Sequence, residues 1–502
     1  MKQDDIKEAD IKKNYLYSTF YQVLTMITPL VTAPYASRIF GPEGVGIQSY
    51  TASVVSVFCI FAALGTAVYG QREIAIHRND PKAYSRVFWE IEILSIFTTV
   101  VCLIIFLMVI LVHGTFLNYY ILQSMTILAV LFDISWFFAG FEAFKYIVFR
   151  NLTVKLFGIF ALFCFVHDKN DLALYVGLVS ASGLLGNIST WTYLPRYLVK
   201  IRFIDFFFID FFDRERKHLK QTIVYFVPAI ATSVYTILDK VMIGFFCGDK
   251  IQNGYYEQTT RIVKLCLTLI LSINTVMTSR MSWLFAQNKT LEVKIRLRQS
   301  MDFSIFLAVP LILGICGIAH GFVPWFLGDG YEEVVYIIYF YSPLIYFISI
   351  SNCCGSQYLT PTGQRVKSGK VIIAGAFIDF CLNLIMIPVW EAKGAAIASV
   401  IAEFVIAILY VKISDDYMTW HIIWQCTWKR FLSAGIMFCA IYIMGQLMEV
   451  GIMSTVVQIV AGAAIYFLML FIFMDNFLVS YIGRIVRKTI DIERDGHGGN
   501  RC

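Results

Sequence analysis

Six basic residues lie inside long apolar stretches of the sequence, where a charged side chain is costly and usually has a function. One is Arg150, and the five that are candidates for a binding site are Arg38, Lys155, Lys240, Arg261 and Lys264. Arg261 and Lys264 are three residues apart and therefore share a face of a helix. Guanidinium and ammonium groups with this spacing would bind a pyrophosphate far more strongly in a low-dielectric cavity than in water. The basic residues therefore predict an anion site within a membrane.

Five acidic residues accompany these cations: Asp133, Asp239, Glu257, Asp379 and Glu403. An ion pair between Glu257 and Arg261, four residues apart, would neutralise one cation. A second pair, between Asp239 and Lys264, would neutralise another. Arg38, near the outer end of its apolar stretch, could instead extend to the membrane surface. At this point the anion site and the internal ion pairs are both open alternatives.

The depth of the remaining charges indicates further roles. Asp379 and Glu403 lie near the membrane midplane by residue count, where a carboxylate can bind a coupling proton or Na⁺. Hydrogen bonding between helices accounts for the two acids equally well. Asp133, nearer the inner side, has the same two interpretations. Lys155 lies too deep to reach either surface, which favours a place in a cavity or an ion pair.

The composition predicts the elements that carry these residues. The chain has 502 residues, of which 58% are hydrophobic and 15% are charged, so we expect an all-α polytopic membrane protein rather than a soluble enzyme. A net charge of +6 over this length does not indicate nucleic-acid binding. Apolar stretches long enough for fourteen transmembrane helices lie at about 14–37, 44–71, 93–131 (two helices that turn at 113–115), 147–166, 172–195, 221–246, 255–279, 303–328, 334–364, 371–390, 394–411, 431–448 and 450–474.

The distribution of Lys and Arg predicts the orientation. If the first thirteen residues are cytoplasmic, the inner segments hold 32 Lys and Arg and the outer loops hold three, Lys169, Lys250 and Lys393. Because basic residues are enriched on the cytoplasmic side, both termini are expected to be cytoplasmic.

The chain is predicted to form two six-helix lobes and two additional helices. The expected divisions are 1–195, a basic cytoplasmic linker at 196–220, 221–413, 414–483 and a cytoplasmic tail at 484–502. The apolar run 203–212 within the linker has basic residues on both sides and predicts an interfacial amphipathic helix. Weak similarity between the starts of the two halves, in which Gly46 aligns with Gly254, predicts a parallel internal repeat.

No catalytic motif of the metalloprotease, serine-hydrolase, nucleotide-binding or paired-cysteine kind occurs in the sequence. The outer loops between the predicted spans are also short, about 4 to 10 residues. A membrane glycosyltransferase or polymerase generally needs a large extracytoplasmic loop to hold its chemistry. We therefore expect neither an enzyme nor a bound metal or organic cofactor, and the ions that could drive the protein are H⁺ and Na⁺.

Two stretches of the sequence resemble a known family. The run TAPYASRIFGPEGVGIQSYTAS at 32–53, the run LDKVMIGFF at 238–246 and the six-plus-six-plus-two helix layout are similar to the polysaccharide-unit flippases of the MOP (multidrug, oligosaccharidyl-lipid, polysaccharide) exporter superfamily. The resemblance implies a bilobed transporter of undecaprenyl-pyrophosphate-linked oligosaccharide, from the inner to the outer leaflet of a bacterial inner membrane. It also implies basic cavity residues for the pyrophosphate, with the polysaccharide polymerase machinery and membrane lipids as further partners. Arg38, Lys240, Arg261 and Lys264 are the positions that could supply those basic residues.

Three other functions stay open from the sequence. A cation-coupled multidrug antiporter of the same superfamily would favour twelve spans and an acidic cavity, so the additional pair of helices after Trp420 argues against it. A membrane glycosyltransferase or polymerase would need the outer loop that is missing from the sequence. In a membrane scaffold that transports nothing, the intramembrane charges would all be dispensable.

Overall fold

The computed structural model describes residues 11–199, 211–414, 417–475 and 477–478. Its first seven helices are α1 Ile11–Ala63, α2 Thr66–His77, α3 Pro81–His113, α4 Leu117–Leu131, α5 Ser135–Gly140, α6 Phe144–Phe165 and α7 Leu172–Thr190. The next eight are α8 Phe211–Phe246, α9 Ile251–Ala286, α10 Thr290–Leu327, α11 Glu332–Tyr341, α12 Leu344–Cys354, α13 Arg365–Ile413, α14 Trp420–Leu447 and α15 Ile452–Ile472. Short helical turns at Lys169–Asp171, Trp191–Arg196 and Gly355–Leu359 complete the described helical structure.

Eleven segments of the described chain are helical, long and apolar enough to cross a membrane. Two of them, of 50 and 49 residues, are each long enough to cross twice. Within these segments, the helices α1 and α13 each contain one residue with non-helical backbone angles: Gly41 in α1, with φ 64°, and Glu391 in α13, with φ 52°. These breaks fall between spans that the sequence predicts as separate. The number fourteen itself stays a prediction.

The turn between α3 and α4 agrees with the prediction of a break at 113–115. Gly114 adopts φ 62°, in the left-handed region, and its N–H donates to the carbonyl of Ile110 at 3.1 Å, which caps α3. At the other end of α3, the carboxylate of Asp80 accepts hydrogen bonds from the first backbone N–H groups, and Pro81 occupies the first turn. α3 therefore begins twelve residues before the predicted span.

Two of the apolar segments contain a break in the helix at a place that the sequence did not predict. Within 44–71, α1 ends at Ala63, and Leu64 and Gly65 both adopt positive φ before α2 begins. The segment Leu117–Gly140, long and apolar enough to cross a membrane, contains Asp133 at its break, because α4 ends at Leu131 and α5 begins at Ser135. The Asp133 carboxylate accepts a hydrogen bond from the Ser135 N–H at 3.0 Å, a local bond that competes with continuation of a helix.

Several predicted segments lie outside the described residues. These are the first ten residues, most of the predicted interfacial helix at 203–212 and the whole of the predicted tail at 484–502. Within the predicted linker, α8 already begins at Phe211. Residues 211–220 are therefore the start of a long helix.

The chain divides into two compact units. The first comprises Met1–Glu257 with Phe380–Ala392, and the second comprises Gln258–Asp379 with Lys393–Cys502. In the first unit, aromatic side chains of α2, α3 and α5 form one buried cluster, and further clusters join α1 to α6 and α7 and α1 to α3 and α4. In the second unit, α10 packs against α14 and α15. The predicted lobe boundaries stay predictions.

Candidate functional site

The first unit contains an ion pair between two of the predicted site residues. Lys240 lies near the end of α8, and Glu257 lies in the second turn of α9, beyond the short connection 247–250. The Lys240 Nζ is 2.5 Å from the Glu257 Oε2, and the Ser49 hydroxyl of α1 donates to the same oxygen at 2.8 Å. Because both side chains of the ion pair are largely buried, the pair is held in low dielectric, where the Coulomb attraction is strong.

Asp239, the neighbour of Lys240, makes a second set of contacts. Its Oδ2 accepts a hydrogen bond from the Tyr256 hydroxyl at 2.5 Å, and its Oδ1 accepts one from the Asn383 amide at 2.8 Å. The Asn253 amide donates to the backbone oxygen of Lys240 at 2.7 Å. These bonds connect α8, α9 and the part of α13 that belongs to the first unit. The Asp239 carboxylate is therefore held in place by two neutral hydrogen-bond donors.

The backbones of α1 and α9 approach each other closely beside this network. A Cβ on Gly46 would overlap the carbonyl oxygen of Lys250, and a Cβ on Gly254 would overlap that of Pro42. Glycine at both positions is what allows this approach, as small residues do between membrane helices. The close approach brings Ser49 within hydrogen-bonding distance of Glu257.

Lys250 is one of the three basic residues of the predicted outer loops and the last residue of the connection between α8 and α9. Its ammonium donates to the carbonyl of Gly244 and lies 4.5 Å from the ring centroid of Tyr50 on α1. A cation over an aromatic face is stabilised by the ring quadrupole. Burial lowers the pKa of the Lys250 ammonium below its ordinary value.

The structure gives the helix and the exposure of each of the other predicted site residues. Arg38 is exposed on α1, one turn before the break at Gly41, and Lys155 is half-buried in the middle of α6. Arg261 is half-buried and Lys264 exposed, both on α9. The acids Asp379 and Glu403 are buried on α13. The predicted cluster of Lys240 with Arg261 and Lys264, and the predicted pairs of Glu257 with Arg261 and Asp239 with Lys264, stay predictions.

Asp133 forms part of a polar group with Arg150 of α6. The guanidinium lies 3.5 Å from the Asp133 carboxylate and donates to the Asn151 and Asn187 side-chain oxygens at 2.8 and 3.1 Å. Asn187 in turn donates to the carbonyl of Ala129 at the end of α4. Asp133 therefore makes a charge pair with Arg150 of α6, and its role in ion binding or helix contact stays a prediction.

Sequence reasoning missed a second polar group, built on His218 of α8. Its Nε2 lies 2.9 Å from the Glu90 carboxylate of α3, and its Nδ1 lies 2.7 Å from the Tyr69 hydroxyl of α2. His218 falls in the stretch interpreted as a linker, and Glu90 lies three residues before a predicted span. The Asp80 cap with Pro81 was the available signal that α3 begins early enough to include Glu90.

Among the described residues, no group of three His, Cys, Asp or Glu side chains is arranged to hold a metal ion. A network of charged and hydrogen-bonded side chains around Lys240 and Asp239 joins α1, α8, α9 and α13.

Two curated relatives match most of the chain. A protein named "Putative O-antigen transporter" from Escherichia coli (strain K12) is 22% identical over 410 residues, which cover 80% of this chain and 96% of that protein. A protein of the same name from Shigella dysenteriae is 21% identical over 408 residues, which cover 80% of this chain and 99% of that protein. Both names describe transporters rather than enzymes.

Solved structures share the fold. The lipid II flippase MurJ in an inward closed conformation superposes with a TM-score of 0.68 at 15% identity, over 93% of this chain and 99% of that chain. An inward-facing multidrug resistance MATE family transporter of the MOP superfamily gives a TM-score of 0.59 at 12% identity, over 82% of this chain and 95% of that chain. With its eleven apolar helical segments, the protein has the predicted fold of an all-α multi-pass membrane protein.

The family assignment rests on the first part of the chain. A family described as "Polysaccharide biosynthesis protein" matches residues 11–284. The match contains both motif stretches, 32–53 and 238–246, on which the resemblance was identified. Since it covers more than half of the sequence, the chain belongs to the polysaccharide biosynthesis protein family.

Proposed function

We propose that the protein is a flippase that carries an oligosaccharide on undecaprenyl pyrophosphate from the inner to the outer leaflet by alternating access. Its family membership and its O-antigen transporter relatives support a lipid-linked saccharide as the substrate class. The observation that carries the proposal is the presence of cations on helices of a chain of this family. Arg38, Lys155, Arg261 and Lys264 lie in helical segments that are apolar and long enough to cross a membrane, and Lys240 lies near the end of α8.

The physical chemistry of the substrate explains why such cations are needed. The lipid tail can stay in the bilayer during transport, but a pyrophosphate with its sugars cannot enter hydrocarbon alone. A cation near the centre of a span costs about 3 kcal/mol on the insertion scale. A hydrated cavity with an anionic substrate would offset that cost. The exposed side chains of Arg38 and Lys264 are accessible to such a substrate.

The five cations have different proposed roles. Arg38, Arg261 and Lys264 bind the pyrophosphate oxygens, because guanidinium groups offer two parallel hydrogen bonds and the ammonium a compact charge. Lys240 is held by Glu257, so the substrate has to compete with that carboxylate for the ammonium. Lys155 is a further contact at midplane depth.

The driving ion is proposed to be H⁺ or Na⁺. Asp379 and Glu403 are buried acids on α13 and are candidates for such an ion, as is Asp239. The protein is proposed to lie in a bacterial inner membrane with both termini in the cytoplasm. The machinery that polymerises the delivered saccharide units is the proposed partner on the outer face.

Reconstitution tests the flippase directly. Vesicles that contain the protein and a fluorescent undecaprenyl-pyrophosphate oligosaccharide are treated with a membrane-impermeant quencher. We expect the protected fluorescence to become accessible at a rate that rises with protein content, while vesicles with a Lys240→Ala, Arg261→Ala, Lys264→Ala triple variant remain near the rate of empty vesicles. Equal rates for the wild type and empty vesicles would refute the function. A normal rate for the triple variant would leave Arg38 and Lys155 as the phosphate contacts.

A multidrug antiporter is the second candidate, favoured only by the fold that the chain shares with the MATE transporter. The same vesicles distinguish the two functions. A flippase should leave the distribution of a cationic fluorescent dye unchanged under a pH or Na⁺ gradient. Accumulation of the dye against its gradient, without movement of the labelled lipid, would favour the antiporter.

A further inference from the structure

A buried histidine connects three helices of the first unit. His218 of α8 is 7% exposed and Glu90 of α3 is 3% exposed, and their side chains are 2.9 Å apart. The second ring nitrogen of His218 is 2.7 Å from the Tyr69 hydroxyl of α2. Both nitrogens of a buried imidazole are thus hydrogen-bonded to groups that can themselves exchange protons.

This arrangement can hold a proton without losing a hydrogen bond. In the neutral imidazole, Nε2–H donates to the Glu90 carboxylate and Nδ1 accepts from the Tyr69 hydroxyl. When Nδ1 gains a proton, it donates to the Tyr69 oxygen instead, and the hydroxyl hydrogen rotates away. The Glu90 carboxylate then faces an imidazolium, so the neutral hydrogen bond becomes a stronger, charge-assisted one.

A cavity of about 420 Å³ opens beside this group, and we expect it to give water access to the group. Its wall consists of four residues of α2, two of α3 and two of α8: Tyr69, Arg72, Glu73, His77, Val87, Glu90, His218 and Gln221. A buried titratable pair at the wall of an open cavity can exchange protons with bulk solvent, whereas a pair sealed in an apolar core cannot.

The other charged groups at the cavity come from α2 and have partners of their own. Arg72 donates to the Tyr225 hydroxyl of α8 at 3.0 Å and lies 3.8 Å from its neighbour Glu73. The His77 Nδ1 lies 2.9 Å from the backbone oxygen of Glu73. The Glu90 carboxylate lies 2.9 Å from the His218 ring, and Arg72 and Glu73 are further charges of the cavity wall.

The helices around the cavity are in close contact, so a change in one is transmitted to the others. A Cβ on Gly65, at the start of α2, would lie 2.9 Å from the Phe226 nitrogen and the Thr222 oxygen of α8. The backbone of α8 therefore packs against the junction of α1 and α2. A change in the strength of the bond between Glu90 and His218 changes the strength of the interaction between α3 and α8.

We propose that Glu90, His218 and Tyr69 form a proton-binding site that couples proton movement to the transport cycle. Protonation strengthens the bond between α3 and α8, and loss of the proton weakens it. A conformation that separates the two side chains therefore has a lower proton affinity, and by linkage the proton gradient biases the two conformations. The coupling half of this inference rests on the proposed function; the proton-binding half does not.

Proton binding is tested on the full-length protein in detergent, without transport. The seven histidines are labelled at Cε1 with ¹³C and followed by NMR from pH 5 to 9, and the His218 signal is assigned as the one missing in His218→Gln. We expect this signal to titrate. In Glu90→Gln, which lacks the carboxylate that stabilises the imidazolium, the midpoint should fall by about one pH unit or more.

His77→Gln is the matched control, because His77 lines the same cavity without contacting the network, and it should leave the His218 midpoint unchanged. Glu90→Asp keeps the charge and should move the midpoint less than Glu90→Gln, which separates a charge effect from damage to the fold. A His218 signal that does not titrate, or one whose midpoint is the same in wild type and Glu90→Gln, would overturn the site.

Coupling is tested in vesicles with the fluorescent undecaprenyl-pyrophosphate oligosaccharide and pH gradients of opposite sign. Wild type and His77→Gln should show rates that differ about fivefold or more between the two gradients, whereas His218→Gln should show nearly equal rates. A wild-type gradient response in His218→Gln would overturn the coupling. If no protein moves the lipid while His218 titrates as expected, the proposed function fails and the proton-binding site stands.

Discussion

Gly46 of α1 and Gly254 of α9 lie directly against each other: a Cβ on Gly46 would be 3.0 Å from the Gly254 nitrogen. The weak repeat between the two halves of the sequence aligns these same two glycines. The repeat itself stays a prediction, and the contact between the two glycines is an observation independent of it. The contact also sets the distance between Ser49 and Glu257, which share a hydrogen bond of 2.8 Å.

The first prediction concerns this crossing. Gly46→Ala and Gly254→Ala should each destabilise the purified protein by roughly 1–3 kcal/mol, because the added methyl groups overlap backbone carbonyls that cannot rotate away. The apparent Tm in detergent should fall in both variants. Gly183→Ala in α7 is the control, since nothing lies within 4 Å of the new Cβ and alanine favours the helix. An unchanged Tm in Gly46→Ala would mean that the helices separate at little cost.

The second prediction concerns orientation, which depends on the 32 inner and three outer basic residues. Single cysteines are introduced into a cysteine-free background at two exposed positions, Asp249 before α9 and Arg216 in α8. An impermeant thiol reagent should label the cysteine at 249 in intact cells and the cysteine at 216 only after permeabilisation. Labelling of the cysteine at 216 in intact cells would reverse the orientation and the proposed direction of transport.

The fold class and many helix breaks could be predicted from the sequence because hydropathy and glycine act locally. The break at Gly41 and the cap at Gly114 are examples, since left-handed backbone angles favour glycine and end a helix. The early start of α3 was missed because hydropathy rises only after Glu92, whereas the Asp80 cap determines where the helix begins.

The side-chain partners could not be predicted in the same way. Lys240 pairs with Glu257, seventeen positions along the chain and on the next helix. Which residues of neighbouring helices face each other depends on the crossing at Gly46 and Gly254, a contact with no local signal. The bond between Asp239 and Asn383 spans 144 positions, and sequence spacing within one helix carries no information about it.

The third prediction concerns Arg430 of α14, which is 1% exposed and lies between two acids. Its guanidinium is 2.6 Å from the Asp302 carboxylate of α10 and bonds to both carboxylate oxygens of Asp475 at 3.2 Å. Arg430→Met would leave two carboxylates without their cation, one of them buried, which costs about 3–5 kcal/mol. We expect a large fall in the apparent Tm or loss of folded protein.

Arg296→Met is the control for Arg430→Met. Arg296 lies 4.0 Å from Glu292 at the surface, with both side chains partly exposed, and such pairs contribute at most about 1 kcal/mol. The apparent Tm of Arg296→Met should stay close to that of the wild type. Equal Tm values for the two variants would show that the buried ion pair does not anchor α14 to α10.

The last prediction asks whether Lys240 serves the substrate or only Glu257. If the pyrophosphate competes with the Glu257 carboxylate for the ammonium, Glu257→Gln should bind the undecaprenyl-pyrophosphate oligosaccharide more tightly and release it more slowly. Lys240→Gln should bind it about tenfold more weakly, since a charge-assisted hydrogen bond contributes about 1.5–3 kcal/mol. Affinity is measured on purified protein, and flipping rates are measured in vesicles.

The double variant Lys240→Gln, Glu257→Gln separates the two accounts. A purely structural ion pair predicts that the double variant recovers wild-type affinity and rate, because neither group is left as an unpaired buried charge. A substrate contact predicts that the double variant binds as weakly as Lys240→Gln, because the cation for the pyrophosphate is absent in both. Ser49→Ala removes the other donor to the Glu257 oxygen but keeps both charges of the ion pair. Its substrate affinity should therefore stay within about twofold of the wild type.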